Sequence, residues 1–464
     1  MHTRLVIAAA GLLAAAGAHA QRPKSAAADL VVLHAAIWTV DPAHPRAEAL
    51  AVSGDSIVAI GTDQQVRRWI GRRTRVIDAK GRTLVPGFTD THVHFLMGSR
   101  ALAQVALGDA TDMASLRSIL RTWQARNPGT DWVAGRGWTY GMIGGDGLPN
   151  KRDLDDIFPD RPVQLSAYDG HTSWANSKAL ALAGITRDTP DPPNGAIVRD
   201  AFGEPTGALK ERASALVAKL IPPPTAAENL RAVQIGLRYA SSVGVTRVHS
   251  AHGDYELLPM LDSLRTAGQL PVRFDVGMFA DPPALLPAFV ARLDSARERY
   301  RGEWVSAGLV KLMIDGVIES HTAAMLAPYA TDTSTSGSLF WSVDAFNDAI
   351  RTLDAKGYRL MTHAIGDRGV RTVLDAYALA RDANGARERI QRIEHIETID
   401  TADVPRFGRE GVIASMQPMH AYPEGDGEGV WTRAIGPERA NHAWLWKQIS
   451  DRGGRVGFGS DWPV

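Results

Sequence analysis

The chain contains no cysteine among its 464 residues, and its formal net charge is +0, with 51 basic and 51 acidic side chains. The lack of cysteine excludes disulfide bonds, thiolate metal ligands and a cysteine nucleophile, so a metal site would have to use histidine, carboxylate or lysine side chains. The balanced charge does not indicate a nucleic acid or another polyanion as a partner. Hydrophobic residues at 45% and charged residues at 22% are typical of a globular protein and argue against disorder.

The longest apolar run lies at the amino terminus. It covers residues 5–17, follows the basic residue Arg4 and precedes a small-x-small sequence that ends at Ala20, a pattern that signal peptidases cleave. We predict a signal peptide over residues 1–20, with a mature chain that begins near Gln21 and is exported to the periplasm or secreted. A membrane anchor is the alternative, but the run is shorter than the ~20 residues that span a bilayer. We expect no membrane span after the signal peptide is removed.

Residues 21–86 carry short apolar runs that are typical of β-strands. The sequence Gly54-Asp55 lies between two of these runs and predicts a hairpin turn. We therefore expect a small β-sheet subdomain that leads into a second domain over residues 87–464.

From residue 85 onwards, eight apolar runs follow one another, most of them separated by helical patterns. Strands that alternate with helices predict parallel βα units of the α/β class, and eight strands fit a (β/α)8 TIM barrel. A doubly wound open sheet is the alternative, and we favour the barrel because polar residues collect at the ends of many different strands. The predicted strands are 85–92, 243–250, 272–279, 309–314, 360–364, 392–396, 412–416 and 456–459, and the predicted helices include 225–242, 343–356, 370–380 and 442–451.

The interval after the first predicted strand is longer than one βα connection needs. We interpret residues 95–224 as an insertion after barrel strand 1. An insertion on the catalytic face of a barrel would shape the substrate pocket.

The candidate chemistry lies at the ends of these strands. His92 and His94 stand two residues apart, so on a strand both imidazoles lie on one face and could bind one cation. Lys311 lies inside an apolar strand, where a lysine is unusual. Each residue alone has an ordinary structural explanation, but polar side chains at so many strand ends point to a barrel active site. The later members of the set are His363, His395 and Asp461.

These residues resemble a known group of enzymes. The sequence over residues 88–94, the strand lysine, the two later histidines and the sequence over residues 459–463 resemble the amidohydrolase superfamily. The sequences over residues 169–177 and 363–367 narrow the resemblance to the branch of N-substituted formamide deformylases and YtcJ-like proteins. The resemblance extends from about Leu30 to the last residue.

The resemblance implies a site for one or two divalent metal ions. His92 and His94 would hold the first ion, and His363 and His395 the second. Lys311 would be carboxylated on its amine and would bridge the ions through anionic oxygens. Zinc is the default metal for such ligands.

The resemblance also implies which residues act on the substrate. Asp461 would bind the first ion and act as the general base on water, and His171 would hydrogen-bond the substrate or the developing oxyanion. A structural role for His171 within the insertion is equally open. Further candidates near the pocket are Asp367, Gln417 and His420.

In the family, a helix and further strands follow the aspartate, and those strands complete the small sheet as a β-sandwich. This sequence ends at Val464. We therefore expect an incomplete amino-terminal β-sandwich and a barrel that is truncated after strand 8.

We expect a metal-dependent hydrolase that cleaves a C–N bond in a small amide, formamide or cyclic amide by metal-activated water. One alternative is an ester, lactone or deaminase substrate on the same scaffold, and another is a truncated, non-catalytic binding protein. The expected partner is a small-molecule, amide-like substrate, with no nucleic acid, and a homo-oligomer is left open.

Overall fold

The computed structural model of the protein describes residues 27–129, 131–143, 148–168, 171–193, 195–251, 253, 255–280, 287–421 and 429–464. The predicted signal peptide and its cleavage point near Gln21 lie outside the described residues. Within these ranges, every helix is too short or too polar to cross a membrane. The described residues form two units, one up to Gly87 and one from Phe88 to Val464.

The second unit contains a sheet of eight parallel strands that follow one another in chain order. All eight predicted strands are present, with shifts of a few residues at their ends. The strands are β1 (Phe88–Val93), β2 (Val245–Ser250), β3 (Arg273–Phe279), β4 (Val305–Met313), β5 (Arg359–Ala364), β6 (Gln391–His395), β7 (Ile413–Met416) and β8 (Arg455–Phe458).

The sheet is nearly closed into a barrel. The segment after β8 returns to the end of β1, where Asp461 N donates to His92 O at 2.8 Å and His94 N donates to Trp462 O at 2.9 Å. Gly459 allows this approach, because a Cβ atom there would lie 2.6 Å from the backbone nitrogen of His92. The open, doubly wound sheet is therefore excluded, and the eight-stranded α/β barrel is the fold.

Helices connect the strands and cover the sheet with a large apolar core. The predicted helices at 225–242, 343–356 and 370–380 are present, the last of them longer at both ends. The prediction of a helix over 442–451 is wrong at its start, because Ala443 instead forms a β-bridge with Thr398. The helices are Phe95–Ala103, Ala226–Ser242, Leu257–Thr266, Pro287–Arg299, Val343–Ala355, Asp367–Asn384, Val404–Glu410, Val430–Ile435, Pro437–Ala440 and Trp446–Asp451, with a 3-10 turn at Pro418–Ala421.

A six-stranded sheet with its own apolar core lies between β1 and β2 in the sequence. It contains three antiparallel pairs and two parallel pairs, and none of them joins a strand of the barrel sheet. Its strands are Val105–Ala106, Val133–Trp138, Val163–Ala167, Thr172–Ala175, Gly195–Arg199 and Pro205–Glu211. Its helices are Met113–Arg126, Tyr140–Ile143, Lys151–Asp155, Ser177–Leu182 and Ala215–Ala218, with a 3-10 turn at Arg212–Ser214.

The first unit consists of a four-stranded and a three-stranded sheet. Strands Ala49–Ser53 and Ser56–Gly61 pair antiparallel around Gly54, whose φ of 61° suits glycine, so the predicted hairpin is confirmed. That these sheets form an incomplete sandwich stays a prediction. The other elements are strands Leu30–Leu33, Ala36–Trp38, Arg46–Ala47, Arg75–Asp78 and Thr83–Leu84, helix Asp63–Val66 and the 3-10 turn Arg67–Trp69.

Candidate metal centre

A cavity of about 420 Å³ lies at the carboxyl ends of the barrel strands. Each strand, or the segment that follows it, contributes at least one side chain to the wall. The strands thus bring together residues that are far apart in the sequence, as the carboxyl face of a barrel does. The lining residues are His94, Ala251, Phe279, Lys311, Met313, Val317, His363, Ile365, His395, Glu397, His420, Asp461 and Val464.

Asp461 lies among the predicted histidine ligands. Its Oδ1 atom is 3.0 Å from His94 Nε2 and 3.5 Å from His92 Nε2, and its Oδ2 atom is 3.9 Å from His395 Nδ1. One ligand atom from each of His92, His395 and Asp461 lies within 4.8 Å of the other two. This spacing is compatible with one cation between them.

His363 completes the group of histidines. Its ring centroid is 4.5 Å from that of His395. Its Nε2 atom is 3.1 Å from the carbonyl oxygen of Gly316, which can only accept, so Nε2 carries a proton and donates. On a neutral ring, Nδ1 then keeps the lone pair that a metal ion needs.

Lys311 lies on β4 with its side chain buried beside these histidines. Its Nζ atom is 3.3 Å from His92 Nε2. Burial lowers the pKa of Lys311 to about 8, although the charges of Glu394 and Asp461 act in the opposite direction. The amine is therefore more readily deprotonated than an exposed lysine.

Burial favours the neutral form of three histidines of the site, His92, His363 and His395. It lowers the pKa of His363 to about 3, and the positive charge of Lys311 adds to the effect. Burial likewise lowers the pKa of His92 and of His395 well below the ordinary histidine value. Neutral imidazoles are the form that binds metal ions.

Two polar atoms of the site fit a metal ion that would pair with them. His395 Nδ1 is buried and has no hydrogen-bond partner in the part of the chain that the structure describes, and buried Asp461 Oδ1 has the ring nitrogens of His94 and His92 as its neighbours. An unpaired buried polar atom is costly, so such atoms are expected where a ligand binds. Imidazole and carboxylate ligands suit a divalent cation.

Two of the predicted ligands occupy strained backbone. His395 has a φ of 75° and Asp461 a φ of 55°, both in a region that side chains other than glycine rarely adopt. Such strain is concentrated at functional sites, where the surrounding structure holds it in place.

Three charged residues at or beside the candidate centre were not predicted from the sequence. Glu394 contacts His92, Arg392 pairs with Glu394, and Glu397 lines the cavity and accepts from Trp431 Nε1 at 2.7 Å. Burial raises the pKa of Glu397 to about 7. The sequence held one signal: Arg392 and Glu394 are charged residues within a predicted apolar strand.

The remaining predicted residues lie in different surroundings. His420 lines the cavity, with Nε2 3.7 Å from Asp461 Oδ2. Gln417 is buried after β7, and Asp367 accepts from Leu326 N at 2.7 Å. His171 is exposed and lies 3.0 Å from Glu211, so its contact with a substrate stays a prediction.

The predicted role of the insertion in shaping the substrate pocket is not tested by the cavity. None of the described residues that line the cavity comes from residues 95–224. Its predicted effect on the shape of the substrate pocket therefore stays a prediction.

Comparison with known proteins identifies relatives along almost the whole chain. The sequence profile of the amidohydrolase family matches residues 75–464. The chain is 30% identical to YtcJ of Bacillus subtilis over 434 residues, covering 92% of this chain and 79% of the relative. It is 28% identical to the N-substituted formamide deformylase of Arthrobacter pascens over 446 residues, covering 94% of this chain and 81% of that protein.

A solved structure supports the fold. An uncharacterized metal-dependent hydrolase from Pyrococcus furiosus aligns with a TM-score of 0.72 at 24% identity, covering 94% of this chain and 85% of that one. At this identity the likeness shows the barrel architecture.

Proposed function

Since the chain belongs to the amidohydrolase family, we propose that it is a metal-dependent hydrolase that cleaves the C–N bond of a small amide, a formamide or a cyclic amide. The observation that carries the proposal is the convergence of His92, His395 and Asp461 within 4.8 Å beside the cavity. The similarity to an N-substituted formamide deformylase supports the choice of bond.

The proposed ligands are the four histidines and Asp461. His92 and His94 would hold one ion with Asp461, and His363 and His395 would hold a second ion if two are bound. When bound, a divalent cation supplies Lewis-acid polarisation of the substrate carbonyl and lowers the pKa of water from about 15.7 towards 7.

Asp461 is the proposed general base. Its carboxylate takes a proton from the attacking water as the new C–O bond forms, and it returns that proton to the nitrogen as the C–N bond breaks. The products are a carboxylic acid and an amine, so atoms and charge balance. The apolar wall of Phe279, Met313 and Val317 limits the access of other water and accommodates the substituent of the amide.

Lys311 is proposed to carry a carboxyl group on its amine. A buried ammonium next to bound cations would be unfavourable, whereas a carbamate supplies anionic oxygen ligands. Zinc as the metal and export through the predicted signal peptide belong to the same proposal.

The test is an assay of the purified protein against a panel of N-substituted formamides, cyclic amides, matched esters and lactones, and compounds with an exocyclic amine. Metal content is measured before and after chelation, and zinc is then added back. We expect amide hydrolysis that is lost with the metal and restored with it. The variant His363→Ala should lose metal and turnover together.

Three outcomes would contradict the proposal. A fully active metal-free protein would exclude the metal. Turnover of esters, lactones or exocyclic amines without amide hydrolysis would show that the enzyme cleaves a different bond. Binding without any turnover would support a non-catalytic protein.

A further inference from the structure

The inner face of β6 carries a charged pair behind the metal centre. The side chain of Glu394 is fully buried, and its Oε2 atom lies 2.6 Å from His92 Nδ1. Its other oxygen lies 2.7 Å from Arg392 Nε and forms an ion pair with it. Glu394 does not line the cavity, so it cannot contact a substrate there.

The contact between Glu394 and His92 determines which nitrogen of the imidazole is protonated. A carboxylate can only accept, so the proton lies on His92 Nδ1 and Nε2 keeps its lone pair. That Nε2 atom lies on the side of Asp461, 3.5 Å from its Oδ1 atom. The geometry thus presents the unprotonated nitrogen, which also lies 3.3 Å from Lys311 Nζ, to the place where the other proposed ligands meet.

Arg392 is itself held from two sides. Its Nη2 atom donates to the carbonyl oxygen of Thr91 at 2.8 Å, and its Nη1 atom donates to His249 Nδ1 at 2.5 Å. His249 Nε2 in turn lies 3.3 Å from a carboxylate oxygen of Asp275. A polar chain of this length is unusual in a barrel interior, where branched apolar residues dominate.

Burying charges in this way is costly, and stability alone does not explain it. Replacement of a buried ion pair by apolar residues of similar volume is often neutral or stabilising. A role towards the metal explains the arrangement, because a carboxylate behind a ligating histidine fixes its tautomer and orientation and increases its basicity.

We propose that Glu394, held by Arg392, is a positioning residue that fixes His92 with Nε2 directed at the metal ion and thereby increases metal affinity. The inference rests on the proposed function, in which His92 is a ligand. It assigns a role to two residues that do not touch the substrate.

The test measures the metal dissociation constant of the apo-protein by competition with a chromophoric zinc chelator. The variant Glu394→Ala should weaken zinc binding about 10–100-fold, as loss of such a partner typically does. The variant Glu394→Gln should weaken it less, because the amide oxygen still accepts from Nδ1. Circular dichroism and chemical unfolding are measured in parallel.

The matched control is Asp354→Asn. Asp354 is a buried carboxylate with Arg389 Nε at 2.8 Å, but it lies away from the metal centre. The control should lose stability without a change in the zinc dissociation constant. A merely structural role of Glu394 would give the same result for both positions.

Folded Glu394→Ala protein that binds zinc within about twofold of the parent would overturn the inference. If that variant does not fold, Arg392→Met decides in the same way, and Glu394→Gln should give a smaller loss of affinity. In the double variant of these two, the losses in affinity should be less than additive, because both act through the same imidazole. Additive losses would also overturn the inference.

The result is separable from the proposed function. Zinc binding that depends on Glu394, together with an absence of amide turnover, would contradict the proposed function and leave the inference standing. Amide turnover together with zinc binding that is insensitive to Glu394 would contradict the inference and leave the proposed function standing.

Discussion

Single residues of the candidate metal centre have the protonation states and hydrogen-bond partners that binding of a cation would need. Burial lowers the pKa of His92, His363 and His395, so their rings are neutral at neutral pH. The hydrogen-bond partners Glu394 and Gly316 O then select the free nitrogen on two of the rings. The site therefore loses little energy to deprotonation when a cation binds.

The variant Asp461→Asn tests the general base. The amide cannot take the proton from water, so kcat should fall about 10²–10⁴-fold. The measurement is steady-state hydrolysis of the best amide from the panel, with metal content determined on the same sample. The control Asp403→Asn changes another buried aspartate, which pairs with Arg371 at 2.8 Å, and should keep kcat. An equal loss in both variants would contradict the assignment.

The ion pairs of Asp354 should make stability depend on pH. Burial opposes ionisation, but Arg389, Asn384 and Arg387 outweigh it and lower the pKa of Asp354. At pH 7, Asp354→Asn should reduce the free energy of unfolding by about 3 kcal/mol.

Since the folded-state pKa is lowered, the contribution of Asp354 is complete above the ordinary value of about 3.9 and is lost as pH falls through the folded-state pKa. The difference between parent and variant should therefore shrink in acid. Chemical unfolding at a series of pH values measures it, and a difference that grows as pH falls would contradict the prediction.

At the scale of elements, the barrel helices combine defined ends with one buried face. Helix Ala226–Ser242 begins with a capping box, in which Thr225 Oγ1 accepts from Glu228 N at 3.2 Å and Glu228 Oε2 accepts from Thr225 N at 2.8 Å. Val233 and Leu237 on the same helix are buried in the barrel core. The cap determines where the helix starts, and the apolar face determines which side of it is buried.

Thr225→Ala should lower the free energy of unfolding by about 1 kcal/mol, because the amide of Glu228 loses its acceptor. Urea unfolding monitored by circular dichroism is the measurement. Thr225→Ser keeps the hydroxyl and should remain close to the parent. Equal losses for alanine and serine would show that the cap is not the cause.

At the scale of the whole molecule, the segments that close the barrel also carry residues of the candidate centre. The residues after β8 bring Asp461 to His92, and backbone hydrogen bonds join this segment to the end of β1. A side chain at Gly459 would enter this contact, since its Cβ atom would lie 2.7 Å from the Cβ atom of His92. Stability and metal binding should therefore change together when closure is disturbed.

Gly459→Ala should lower the free energy of unfolding by about 1–3 kcal/mol, the usual cost of overpacking, and weaken zinc binding as well. Unfolding and chelator competition measure the two effects. Gly302→Ala is the control, because its Cβ atom would meet only Val305 O at an ordinary 3.6 Å, and it should stay within about 0.5 kcal/mol. A loss of stability without a loss of affinity would separate closure from the centre.

The sequence by itself determined the order and type of the barrel elements. Alternating apolar runs and helical patterns are local properties, so β1–β8 and the hairpin at Gly54 could be predicted from neighbouring residues. The family could also be predicted from the sequence, because the motifs around His92 and Asp461 are short and specific. The start of helix Trp446–Asp451 could not be predicted from neighbouring residues, because a β-bridge between Ala443 and the distant Thr398 precedes the helix.

Only the tertiary structure decided which residues support the ligands. His92 and Glu394 are 302 positions apart, and their side chains meet only because β1 and β6 belong to the same nearly closed barrel. Strand periodicity shows which side of a strand a residue occupies, but the register of distant strands decides which side chain it meets. For that reason the sequence named the proposed ligands, and the fold alone revealed Glu394, Arg392 and Glu397 around them.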